Sequence, residues 1–147
     1  MKYLLLFILI LTSSFGISNN IQEINSDINK IKYVLDNEDE WKTPKEFYSK
    51  GGDCEDFAIA KFVKLEKLYN VKMAYVELKK LNSIEPHMVL ILEDYILDNL
   101  TNKILSIEDR TDLTIKYTFD RNNLYINGKT YKNNLSKWNE LLNKIKG

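Results

Sequence analysis

The chain has 147 residues, 44% apolar and 29% charged, with 21 basic and 21 acidic side chains. That is one domain's worth of sequence with enough apolar residues for a core, and a net charge of zero argues against nucleic acid or an anionic membrane surface as a partner. One cysteine cannot form an internal disulfide.

Met1-Lys2 is a short basic start, Tyr3 to Leu11 is apolar, and Thr12 to Gly16 is small and polar. This is the pattern of a secretory signal peptide over residues 1–16, cleaved after Gly16, with a mature domain over 17–147. The apolar run is short for a membrane span, and the absence of a nearby cysteine excludes a lipoprotein. Export places the lone thiol in an oxidising compartment, where it is a liability unless buried or used.

Ile21, Ile24, Ile28, Ile31 and Leu35 recur at helical spacing, so the first helix is expected over 21–35, followed by a polar loop from Asp36 to Glu40. Thr43-Pro44-Lys45-Glu46 carries a cap, a proline for the first helical position and the acid of a capping box. The short helix it opens should stop at Lys50-Gly51-Gly52. Asp53 opens another, running to about Tyr69. Phe57, Ala58, Ala60, Phe62, Val63, Leu65 and Leu68 cover most of its circumference, which marks a central, buried helix.

Strand signals dominate thereafter. Val71 to Leu78 is a strand and Leu81 to Pro86 a loop. His87 to Leu92 and Tyr95 to Leu100 form a hairpin about Glu93-Asp94, and Thr114 to Phe119 is a further strand. Leu124-Tyr125-Ile126 and Thr130-Tyr131-Lys132 flank Asn127-Gly128, a strong hairpin turn. Ser136 to Ile145 closes the chain with a helix whose apolar face is Trp138, Leu141, Leu142 and Ile145. Helices first and an antiparallel sheet after them make the fold class α+β.

Cys54 falls on the first turn of the central helix, where backbone N–H groups and the macrodipole favour an anion. A lone cysteine is more often a small buried hydrophobe. The chain also holds a single histidine, His87, able to deprotonate a thiol and protonate a leaving amine. A turn at Glu93-Asp94 makes His87 and Asp98 diagonal neighbours, and a carboxylate among Ile96, Leu97 and Leu100 needs a partner. Asp98 would orient the imidazole, completing a Cys-His-Asp triad. Asp53, Glu55 and Asp56 oppose this, because like charge raises a thiol's pKa. A bound cation would relieve the conflict, and oxygen-only ligands point to calcium. Solvated acids at a helix start account for the same spacing equally well.

Trp41-Lys42-Thr43-Pro44-Lys45-Glu46-Phe47, Gly52-Asp53-Cys54-Glu55-Asp56-Phe57-Ala58-Ile59-Ala60-Lys61, His87-Met88-Val89-Leu90, Leu97-Asp98-Asn99-Leu100 and Arg110-Thr111-Asp112-Leu113 closely resemble the bacterial transglutaminase-like cysteine proteinases. The resemblance implies a papain-like or transglutaminase-like fold with Cys54 as nucleophile, His87 as base and Asp98 as orienter. It also implies a calcium ion held by Asp53, Glu55 and Asp56. A periplasmic endopeptidase of this kind cuts a large surface adhesin at a double alanine near its N-terminus, releasing it and dispersing biofilm. An inner-membrane cyclic di-GMP receptor would be the partner that holds it inactive. Two other readings share the residues: a protein-crosslinking transglutaminase, which passes the same acyl-enzyme to an amine, and a non-catalytic calcium-dependent binding module.

Overall fold

The computed structural model describes residues 16–38 and 40–147. The expected signal sequence, apart from Gly16, lies outside them. Helices α1 (Asn19–Asn29), α2 (Pro44–Lys50) and α3 (Cys54–Leu65) come first. Strands β1 (Val71–Lys79), β2 (Ile84–Leu92), β3 (Tyr95–Asp98), β4 (Thr101–Ser106), β5 (Leu113–Phe119), β6 (Asn123–Ile126) and β7 (Lys129–Lys132) follow, and α4 (Ser136–Lys146) ends the chain. The strands form one sheet in the order β4-β3-β2-β1-β5-β6-β7, antiparallel at every pairing. The α+β arrangement is as expected. Among the described residues no helix is long and apolar enough to cross a membrane.

The main core lies between the helices and one face of the sheet. Ile21, Ile59, Phe62, Met73, Leu90, Phe119 and Trp138 are all buried there. Trp138 packs edge-on to both Phe62 and Phe119, each ring at 5.3 Å, an arrangement the aromatic quadrupoles favour. Ala74, Val76, Val89, Ile91 and Ile96 make a second cluster, against which Ile107 and Leu113 pack. The β-strand alternation of side chains supplies both layers, with Met88, Leu90 and Leu92 in the first and Val89 and Ile91 in the second. Phe47 and Phe57, with centroids 4.8 Å apart, join α2 to α3.

Four elements differ from the periodicity reading, the first being helix α3, which ends at Leu65 and not near Tyr69, leaving Leu68 exposed. Helix α1 ends at Asn29, not near Leu35. Beyond it the chain straightens so that Val34 N–H donates to Gly52 O (2.9 Å) and Gly52 N–H to Lys32 O (3.3 Å), contacts that a continued helix would forbid. Strand β2 starts at Ile84, within the expected loop, and includes Pro86. The missing proline N–H is harmless there because β3 pairs only with Leu90 to Leu92, leaving that side of β2 open at Pro86. The expected strand to Leu100 stops at Asp98, and a turn at Asn99-Leu100 starts β4. At the Asn127-Gly128 turn both residues have positive φ (51° and 72°), as a two-residue hairpin of this twist requires.

Candidate active site

The loop that carries Cys54 is fixed by sterics before any chemistry enters. Gly51 has φ of 77°, and a Cβ there would stand 2.3 Å from Lys32 O. A Cβ on Gly52 would stand 2.2 Å from Asp56 Oδ2. That same oxygen accepts from the Asp53 N–H (3.2 Å), while Asp56 Oδ1 accepts from the Lys42 N–H (2.8 Å). Asp56 is thus a buried capping acid that ties the α3 start to the segment before α2.

Cys54 is the first residue of α3 and half-buried. Its thiol donates to Glu55 Oε2 (3.0 Å), and the Met88 backbone amide bonds its sulfur from β2. Burial raises the thiol's pKa, and the charge of Glu55 and its hydrogen bond raise it further, against the lowering effect of Met88. Desolvation and like charge therefore outweigh the pull of the helix terminus toward a thiolate.

His87 lies beside Met88 on β2, only 6% exposed, with Nε2 2.8 Å from Asp98 Oδ1. Nδ1 is left as the second functional ring nitrogen. The observed pairing of Leu90 with Leu97 gives the diagonal relation of His87 and Asp98 expected from the Glu93-Asp94 turn. Asp98 is fully enclosed. Burial opposes its ionisation, but hydrogen bonds from His87, the Leu100 N–H and Arg110 overcome this and hold its pKa at about 2.

Cys54, Glu55 and His87 line one open cleft of ≈ 350 Å³, walled by Trp41, Tyr75, Pro86, Met88, Tyr117 and Leu135. Tyr75 and Tyr117 stack at 5.1 Å across the β1–β5 pair, and Trp41 stacks on Phe119 at 6.1 Å. The cleft is largely apolar and open to solvent, with Cys54, Glu55, His87, Ser136 and Lys137 as its polar members.

The acids divide into two groups. Asp36, Asp53 and Asp56 each offer an oxygen within 4.8 Å of the other two. Lys42 Nζ bridges Asp36 Oδ2 (2.9 Å) and Asp56 Oδ2 (3.1 Å), whereas Asp36 Oδ1 is buried with no hydrogen-bond partner among the described residues. Burial, a hydrogen bond to Glu55 and the neighbouring carboxylates push Asp53 up to about 8. Glu55, expected beside Asp53 and Asp56, stands between Asp53 and the Cys54 thiol. Asp36 was not among the sequence candidates. It reaches the cluster through the Tyr33–Gly52 parallel bridge, a tertiary contact with no local signal. Arg110 and Lys61 were likewise given no role, although both lie near Asp98.

A half-buried thiol at a helix start shares one cleft with a strand-borne imidazole above an antiparallel sheet, an arrangement in keeping with a cysteine hydrolase of transglutaminase-like fold. Residues 11–141 match the family model of the bacterial transglutaminase-like cysteine proteinases, and the chain belongs to that family of cysteine proteinases. Among solved structures it is similar to calcium-bound Legionella pneumophila LapG, at 32% identity and a TM-score of 0.74, covering 85% of this chain and 78% of that one. It is similar also to EGTA-treated LapG from the same organism (32% identity, TM-score 0.76, 85% and 77% covered) and to a further LapG structure (33% identity, TM-score 0.76, 85% and 75% covered). No curated protein matches the chain.

Proposed function

We propose that the protein is a calcium-dependent periplasmic endopeptidase in which Cys54 is the nucleophile, His87 the general base and acid, and Asp98 the residue that orients His87. The observation that carries this is the cleft shared by Cys54 and His87, with His87 Nε2 held 2.8 Å from Asp98. Nδ1 takes the thiol proton, and the sulfur adds to the scissile carbonyl carbon. His87 then protonates the leaving amine as the C–N bond breaks, leaving a thioester on Cys54. Water, deprotonated by His87, attacks the thioester and releases the new carboxylate and the thiol. Backbone N–H groups at the α3 start would stabilise the developing oxyanion.

The acids beside Cys54 fit a calcium ion. The donor set is hard oxygen throughout, and one buried carboxylate oxygen of Asp36 has no hydrogen-bond partner among the described residues. Lys42 neutralises Asp36 and Asp56 but makes no hydrogen bond to Asp53, whose charged form burial and the neighbouring carboxylates disfavour. Asp53, Asp56 and Asp36 would hold the ion, with Glu55 adjoining. When bound, it supplies positive charge that offsets the carboxylates now raising the Cys54 thiol. The match to LapG structures in calcium-bound and EGTA-treated forms supports this reading.

The substrate proposed is the N-terminal region of a large surface adhesin, cut at a double alanine to release it and disperse biofilm. An inner-membrane cyclic di-GMP receptor would withhold the enzyme. Both rest on family resemblance. The test is incubation of a recombinant adhesin N-terminal fragment containing the double alanine, read by mass spectrometry. Two fragments are expected, with excess EGTA abolishing cleavage, added calcium restoring it, and Cys54→Ala, His87→Ala and Asp98→Ala each cutting the rate by orders of magnitude. High-mass conjugates in place of fragments would assign a transglutaminase, cleavage that survives Cys54→Ala would overturn Cys54 as the nucleophile, and neither product would leave the calcium-dependent binding module.

A further inference from the structure

Asp98 has two carboxylate oxygens with different duties. Oδ1 meets His87 Nε2 (2.8 Å) and accepts from the Leu100 N–H (3.0 Å), while Oδ2 accepts from Arg110 Nη2 (2.9 Å). Arg110 is itself 7% exposed and held from its other side. Its Nε and Nη2 fork onto Asp112 Oδ1 and Oδ2 at 2.8 and 2.9 Å. The turn that carries it is closed by Leu113 N–H to Arg110 O (3.0 Å), and Lys79 N–H to Asp112 O (2.8 Å) fastens that turn to β1. The guanidinium therefore has one orientation, and Asp98 is a carboxylate gripped from behind.

We propose that Arg110 is a positioning residue for the His87–Asp98 pair, fixing which Asp98 oxygen faces the imidazole and tempering the negative charge behind it. This rests on the triad reading above. The Asp112 fork lies within the turn and sets the guanidinium's orientation, and the contact that crosses to the sheet is the one to Asp98. The second contact brings a buried cation onto the acid that hydrogen-bonds His87, and it does so while Arg110 Nη1 stays buried without a hydrogen-bond partner among the described residues. Burial of such a pair is weak evidence for a gain in stability, since desolvation of both ions offsets their attraction. Its effect on the group bonded to the other oxygen is direct. A free carboxylate would stabilise the imidazolium more strongly than one shared with a guanidinium.

The other charged groups around the pair are Lys61 from α3, Glu85 on β2, Glu55 and Cys54 across the cleft, and Lys137 on its wall. Lys61, Glu85, Glu55 and Cys54 make no hydrogen bond to Asp98 among the described residues. Arg110 is absent from the cleft lining, so its loss should spare substrate binding.

The sole histidine gives a single imidazole to follow by NMR titration, in a Cys54→Ala background that removes the thiol's own ionisation. Arg110→Gln is expected to raise the imidazole's protonation midpoint by about one pH unit. With Cys54 present, it should lower kcat on the adhesin fragment by about a hundredfold at unchanged KM. Arg110→Lys, which keeps the charge but not the fork, should restore the midpoint and recover only part of kcat. If Arg110→Gln does not fold, Asp112→Asn loosens the grip from outside and should lower kcat alone. A folded Arg110→Gln protein with unchanged midpoint and kcat overturns the proposal, and so does an Asp112→Asn protein of undiminished kcat when Arg110→Gln cannot be made. Failure of the triad reading shows separately, as activity that survives His87→Ala, because the imidazole titration needs no turnover.

Discussion

At Gly52 the backbone has room for a hydrogen and no more. A methyl group would meet Asp56 Oδ2 at 2.2 Å and Asp56 Cβ at 2.6 Å, and the acid cannot retreat without giving up its bonds to the Asp53 and Lys42 N–H groups. Gly52→Ala should therefore cost about 1–3 kcal/mol, read as a shift of the denaturant midpoint. Cleavage should fall further than that loss of stability explains, because the displaced loop carries Cys54. A midpoint equal to wild type would mean that the loop is not held by this packing. Cys54, His87 and Asp98 were legible in the sequence because two are unique residue types and the third breaks an apolar strand pattern. Asp36 and Arg110 were not. Each reaches the site across a tertiary contact, Asp36 through the Tyr33–Gly52 bridge and Arg110 through a turn after β4, and short-range spacing carries no trace of either.

Among the elements, α3 joins the nucleophile to the core and carries one costly residue to do so. Lys61 is fully enclosed, its Nζ has no hydrogen-bond partner among the described residues, and burial lowers its pKa from 10.5 to about 7, against the pull of Asp98. A folded-state value below the unfolded one means the unfolded chain binds more protons between about pH 7 and 10.5. Lys61 therefore adds a stability that rises with pH across that window. Lys61→Met should flatten this rise and, below pH 7, stabilise the fold by on the order of 1 kcal/mol or more. Thermal melts of both proteins from pH 6 to 10 would show it, and parallel curves would contradict it. The helical face of α3 was plain from its apolar residues, yet the lysine within that face gave no hint of its burial. The early end of α1 and the separate β4 were missed for a different reason. Apolar periodicity continues through Ile31 and past Asp98, and only long-range contacts decide where those elements stop.

Over the whole molecule, one antiparallel sheet supports the candidate site from both sides. The helix layer delivers Cys54 to the open side of β2, the β2–β3 hairpin delivers His87 and Asp98, and the 107–113 turn closes behind Asp98 with Arg110. Helix α1 fastens the same region, as Asn29 Nδ2 donates to Asp98 O (2.9 Å) and Thr101 O (3.2 Å). The α+β class and the antiparallel hairpins followed from element order and turn residues, whereas the strand order, with β1 at the centre, depends on pairings of distant segments.

Cys54 is proposed to be a nucleophile that His87 makes reactive once the surrounding acids are neutralised. The most direct measurement is the rate at which iodoacetamide alkylates this only cysteine, followed by intact mass against pH with calcium or EGTA present. With calcium, rapid alkylation is expected well below the range of an ordinary thiol, near pH 8.5. It should slow by orders of magnitude in EGTA or in His87→Ala. Alkylation that follows an unassisted thiol titration, indifferent to both calcium and His87, would contradict the claim.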